Sequence, residues 1–203
     1  MPQKDPKGMI DIFGKAVRVK FADVYHIKDF YSALHEYLFE NDWKDAAGDG
    51  DHWETFYMER VKQGDFRELW IRWRPKKKAV GSEYFVYHLD FDWHCIGVKA
   101  TEIIVDGKKV KANSGDIEIN MKIYIEKKYE KAFKESSFLR SFLNIFNQRI
   151  YSANITQRKK EAYHEFYALQ NFMKQWFRLK RYMPYEESKN FFPSSAWPSN
   201  KKW

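Results

Sequence analysis

The sequence predicts an α+β fold: an antiparallel β-meander of about five to six strands, with an N-terminal helix and long C-terminal helices packed on one face. Three observations predict it. Ile117, Ile119, Met121, Ile123 and Ile125 alternate strictly with polar or aromatic neighbours, the period of a strand with one buried face. Val24, Ile27, Tyr31, Leu34 and Leu38 recur at three- and four-residue steps, the period of an amphipathic helix. Between Gly115 and Pro184 there is neither Gly nor Pro, and two apolar stripes at helical spacing occupy the interval.

The elements follow in order. Met9 to Phe21 reads as a strand, because Val17, Val19 and Phe21 alternate with Arg or Lys; Gly14 marks a turn or bulge within it. Asp23 is the candidate N-cap of the first helix, which ends near Trp43, before the Gly/Asp loop from Asp45 to Asp51. Trp53 to Lys62 and Phe66 to Arg74 read as a hairpin closed by Gln63-Gly64-Asp65, and Pro75 with Lys76, Lys77 and Lys78 terminates it. Glu83 to Ile96 and Val98 to Val105 read as separate strands. Asp106-Gly107 is a turn, Val110 begins the return, and Asn113 to Asp116 is a further turn or irregular loop before the strand 117–126.

Ser136 or Ser137 can cap a helix whose stripe is Phe138, Leu139, Phe142, Leu143, Ile145, Phe146 and Ile150. A second stripe runs through Ala162, Phe166, Leu169, Met173 and Trp176. The reading is two helices jointed near Asn154, with one long bent helix as the alternative. The organisation expected is a core of strand, helix and sheet over 1–135, a helical region over 136–182 packing on the same domain, and a Pro/aromatic tail over 183–203.

At 203 residues the chain can bury a full core without disulfide or metal staples. Cys95 is the single cysteine, so neither an internal disulfide nor a Cys-rich zinc site can form. The longest charge-free run, Asn190 to Asn200, is too short for a membrane helix and carries two prolines. A soluble, cytoplasmic protein is expected.

The residues with the most chemical potential lie on one strand. Period two places His88, Asp90, Asp92 and His94 on one face, with Tyr87, Leu89, Phe91, Trp93 and Cys95 on the other. Imidazole and carboxylate at i and i+2 suit a divalent metal or acid–base work. All four cannot share one ion, since His88 and His94 stand about 20 Å apart at the strand rise. The competing reading is a solvated sheet face with cross-strand ion pairs to Arg60, Arg72 or Lys122. No motif with established metal-ligand spacing, no nucleophile elbow and no Gly-rich phosphate loop occurs, so no metal or cofactor is expected.

Charge carries more information. The formal net charge is +8, and it is segregated. The first 50 residues hold 7 basic and 9 acidic side chains, whereas Arg72, Arg74, Lys76, Lys77 and Lys78 fall within seven residues without an acid. Arg149, Arg158, Lys159, Lys160, Lys174, Arg178, Lys180 and Arg181 face only Glu161 and Glu165 between 149 and 182. The chain also holds 17 Phe, 13 Tyr and 8 Trp, more than a core needs.

Bases interleaved with aromatics suit an anionic partner. The function expected is therefore a non-enzymatic binding or assembly module. It would present a basic, aromatic-rich surface to nucleic acid or an acidic protein, or to other subunits in a homo-oligomer or larger assembly. Its candidate contacts are Lys76, Lys77, Lys78, Arg158, Lys159, Lys160, Trp176, Arg178, Lys180 and Arg181.

The order helix, meander, closing helix also resembles the helix-grip folds that cup apolar ligands, by arrangement and not by motif. That resemblance implies a second reading: a cup for a small hydrophobic molecule, with an enzymatic or metal role for His88, Asp90, Asp92 or His94. It requires the polar face of strand 83–96 to be enclosed.

Overall fold

The computed structural model describes residues 8–47, 53–105, 108–135 and 137–179. It is α+β, with an antiparallel sheet of seven strands covered on one face by helices. The strands are β1 (Met9–Asp11), β2 (Val17–Tyr25), β3 (Glu54–Lys62), β4 (Phe66–Trp73), β5 (Lys76–Lys78), β6 (Phe85–Val105) and β7 (Lys108–Lys127). The path across the sheet is β1-β7-β6-β4-β3, with β2 also pairing β7 and β5 also pairing β6.

Several boundaries differ from those expected. The first strand is two. Asp11 Oδ1 accepts the Phe13 and Gly14 N–H groups at 2.9 Å each, and this side-chain turn breaks the ladder between β1 and β2. Asp23 is not a helix cap. Pairing with Asn113 to Met121 carries β2 on to Tyr25, and α1 (Ile27–Glu40) starts after His26, with no side-chain cap bond there. Its buried stripe is accordingly Phe30, Leu34 and Leu38.

The two strands expected over 83–105 are one, β6, and 108–127 is likewise one, β7. Their common irregularity lies at Gly97 and Gly115, where the register shifts between Ile96 and Lys99. Only glycine fits at 115: φ is 149°, and a Cβ would stand 2.9 Å from the Gly97 carbonyl oxygen and 3.0 Å from that of Ile96. Lys76 to Lys78, expected only to end a strand, forms β5 and pairs with Val86 to His88.

The C-terminal region begins with α2 (Tyr129–Glu135) and α3 (Ser137–Ile145), followed by a π-helical turn (Phe146–Ile150) and α4 (Ser152–Trp176). The break falls at Tyr151, three residues before Asn154. Its ring stacks on Phe85 at 5.7 Å and Phe146 at 5.1 Å, which anchors the joint.

Both α1 and α4 end in Schellman turns. In α1, Trp43 N–H donates to Leu38 O at 3.0 Å and Asp42 N–H to Phe39 O at 3.1 Å, with Asp42 left-handed at φ 61°. In α4, Leu179 N–H donates to Lys174 O at 2.7 Å and Arg178 N–H to Gln175 O at 3.0 Å, with Arg178 at φ 54°.

One apolar cluster joins sheet and helices. Phe30, Leu34 and Leu38 of α1 and Ala162, Phe166, Leu169 and Met173 of α4 pack on Trp73, Leu89, Phe91, Trp93, Ile117, Ile119, Met121 and Ile123. Trp73 and Trp93 stand 5.2 Å apart and Phe30 stands 5.4 Å from Trp93, so large rings fill the space between the layers. No helix among the described residues is long and apolar enough to cross a membrane.

Candidate functional site: a lysine-lined cleft at the β5 edge

The Schellman turn of α1 sends the chain back along the sheet. Lys44 then pairs with Lys76 through two backbone bonds, Lys44 N–H to Lys76 O at 2.9 Å and Lys76 N–H to Lys44 O at 2.7 Å. On the other side, Lys128 N–H donates to Tyr84 O at 2.9 Å. These contacts bring three distant parts of the sequence around one cleft of about 390 Å³, lined by Asp42, Lys44, Lys76, Lys77, Lys78, Val80, Val86 and Lys128.

Five lysines thus face a single carboxylate. Two are engaged. Lys77 points toward the helices, because its strand partner is the buried Tyr87, and its ammonium meets Glu165 Oε1 at 2.8 Å. Lys76 Nζ donates to Ala46 O, a neutral acceptor, at 2.6 Å. Among the described residues, Lys44, Lys78 and Lys128 have no acidic partner. Phe39 and Tyr84 are exposed, and their carbonyl oxygens accept the N–H groups of Asp42 and Lys128 in the cleft lining. Lys44 and Lys128 were not among the expected contacts, since nothing local in the sequence joins them to Lys76.

The other expected contacts are distributed. Arg158 is tied inward, donating to Val80 O at 2.8 Å and to Glu161 Oε2 at 2.6 Å. Burial by itself would raise the Glu161 carboxyl. Hydrogen bonds from Arg158, Tyr87 and Gln157 outweigh it and hold Glu161 below the usual carboxylate range.

Lys159 and Lys160 line a second, more open cleft of about 560 Å³ with Asp11, Ile12, Thr156, Tyr163 and His164. Arg158 therefore lies between the clefts: it reaches Val80 on the rim of the first, and the next two residues line the second. Trp176 is half-exposed, with its ring 6.0 Å from Phe30, and Arg178 is exposed at the end of α4. Lys180, Arg181 and the tail over 183–203 lie outside the described residues.

His88, Asp90, Asp92 and His94 do share a face, the one turned away from the helices; the aspartates are ion-paired with arginine and the histidines are hydrogen-bonded to glutamates of neighbouring strands. His88 Nε2 lies 2.9 Å from Glu126 Oε2, and His94 Nε2 lies 3.0 Å from Glu68 Oε1. Arg74 spans the two aspartates, with Nε 3.2 Å from Asp90 and Nη2 2.6 Å from Asp92. Arg72 also reaches Asp92, at 3.5 Å. Burial raises the Asp90 carboxyl, Arg74 opposes that rise, and Asp92 adds to it. Among the described residues, no three His, Cys, Asp or Glu side chains are placed to hold a metal ion.

Cys95 is fully buried on the opposite face, and burial pushes its thiol up to about 12. We expect no reaction of the native protein with a thiol-specific disulfide reagent at pH 8, and one thiol titrated per chain in denaturant. Fast labelling of the folded protein would place the thiol in solvent.

Comparison with protein-family models, with curated proteins and with solved structures finds no match for the chain.

Proposed function

We propose that the protein is a non-enzymatic module that binds single-stranded nucleic acid through the lysine-lined cleft. The observation that carries this reading is the convergence of Lys44, Lys76, Lys78 and Lys128 on one cleft, three of them without an acidic partner among the described residues. Ammonium groups act as compact point charges toward phosphate. They draw the backbone of a polyanion into a site whose alkyl stems form the walls. Phe39 and Tyr84, exposed and bonded through their carbonyl oxygens to the lining residues Asp42 and Lys128, offer faces on which unpaired bases stack. Lys159 and Lys160, beyond Arg158, extend the basic track around α4.

A nucleic acid suits this arrangement better than an acidic protein does. The phosphates repeat along the strand, and the exposed rings have no counterpart in a run of carboxylates.

The test is fluorescence anisotropy with a labelled single-stranded oligonucleotide across a salt series. The triple variant Lys44→Glu, Lys78→Glu, Lys128→Glu is expected to bind on the order of tenfold or more weakly, and the salt slope to flatten by about 2, at roughly 0.7 per lost phosphate contact. Lys159→Glu with Lys160→Glu is expected to give a smaller loss. Unchanged affinity and slope in the triple variant would overturn the site. Binding of polyglutamate but not of the oligonucleotide would transfer the site to an acidic protein partner.

A further inference from the structure

We infer that β3 is a self-pairing edge, through which two copies of the chain join their sheets in antiparallel register about a two-fold axis at Met58. This does not depend on the anion reading. β3 is the last strand of the sheet, and all nine of its residues are exposed. It carries no proline, so nothing in its backbone blocks a further strand. Phe56, Tyr57, Met58 and Val61 give it an apolar load exposed on both faces. The helix layer stops short of it: Tyr57 and Val61, on the helix side, are 54% and 60% exposed, so among the described residues nothing obstructs a neighbouring strand there.

The residue order selects the partner. Two identical strands related by a two-fold axis normal to a sheet place residues of the same face opposite each other, so the axis must pass through a residue. An axis at Glu59 opposes glutamate to glutamate, and one at Arg60 opposes arginine to arginine; both are disfavoured. An axis at Met58 uses the regular part of β3, Phe56 to Arg60. It sets Phe56 against Arg60 of the second copy, Tyr57 against Glu59 and methionine against methionine.

Each of these pairs is favourable: cation–π, hydroxyl to carboxylate, and apolar. The same strand already accepts a cation on this ring, since Arg72 lies 5.0 Å over Phe56. The irregularity between Glu54 and Phe56 ends the ladder. The contact is therefore one strand long, and the dimer is weak and concentration-dependent.

Sedimentation velocity over two decades of concentration tests this. The wild-type chain is expected to move from monomer to dimer. Met58→Lys alone and Met58→Glu alone, each placing like charges on the axis, are expected to remain monomeric, and an equimolar mixture of the two is expected to dimerise. Met58 is an exposed side chain, and circular dichroism of each variant confirms that the fold is kept. A wild-type chain that stays monomeric, a dimer that persists unchanged in Met58→Lys, or a mixture that fails to associate would each overturn the pairing.

Discussion

Replacing Phe30 with alanine is expected to destabilise the protein by about 3–5 kcal/mol, the usual range for deleting a buried aromatic ring. Phe30 is 0% exposed, and it is the point where both helices meet the sheet. Its ring lies 5.4 Å from Trp93 on β6, 6.0 Å from Trp176 on α4 and 4.5 Å from Phe177 beyond it. These neighbours belong to β6 and to the end of α4, two separately anchored elements, so neither can simply move in to fill the void. The loss is a large share of the whole stability of an ordinary domain. It should appear as a fall in Tm on the order of 10 °C. Denaturant unfolding with an unchanged slope and a lowered midpoint would measure it, and a loss below about 1 kcal/mol would mean that the ring is not held between the layers.

The second large effect comes from the Lys77–Glu165 pair. Lys77 is only 9% exposed, and its ammonium meets Glu165 Oε1 at 2.8 Å. Glu165→Leu removes that partner and leaves an ammonium in an apolar setting, a loss of about 3 kcal/mol, at the low end for broken buried pairs because Glu165 is itself 27% exposed. Glu165 Oε2 is buried without a hydrogen-bond partner, so the pair is incompletely satisfied. Lys77→Leu combined with Glu165→Leu is therefore expected to be close to neutral, or more stable than the wild type. A double-mutant cycle by chemical denaturation reads both numbers. Additive losses would show that the two side chains stabilise the fold independently.

What was legible in the sequence, and what was not, separates along local and long-range causes. The alternation Ile117 to Ile125 announced half of β7, because one face of that half is buried, whereas Val110 near its start is exposed. Gly97 and Gly115 concealed the continuity of β6 and β7. A glycine at a bulge and a glycine at a strand end look alike in a sequence, and only the pairing across the ladder distinguishes them. Val24 sits at helical spacing from Ile27, yet it belongs to β2, because Ser114 opposite holds it in the sheet.

At the cleft the lysine triplet was conspicuous as a run. Its strand geometry, which turns Lys77 inward and Lys76 and Lys78 outward, was not legible while the run was read as a terminator. Lys44 and Lys128 reach the cleft through a Schellman turn and a strand exit, neither of which leaves a charge pattern. Likewise the cross-strand pairing of His88, Asp90, Asp92 and His94 was foreseeable as a class, but the partners Glu126, Arg74 and Glu68 depend on register.

The order of strands has a consequence for the chain as it is made. β6 and β7 are neighbours in sequence and pair from Val105–Lys108 back to Phe85–Lys127, so they can zip from their own turn. β2 has no such neighbour: Val17 pairs with Met121 and Tyr25 with Asn113, about ninety to a hundred residues further on. At ribosomal elongation rates this interval lasts about 5–20 s. Throughout it, Val17, Val19 and Phe21 are synthesised but have no ladder to join. β2, like β1, is thus made long before its partner strand and is among the last placed, and during translation its apolar side chains wait without a ladder.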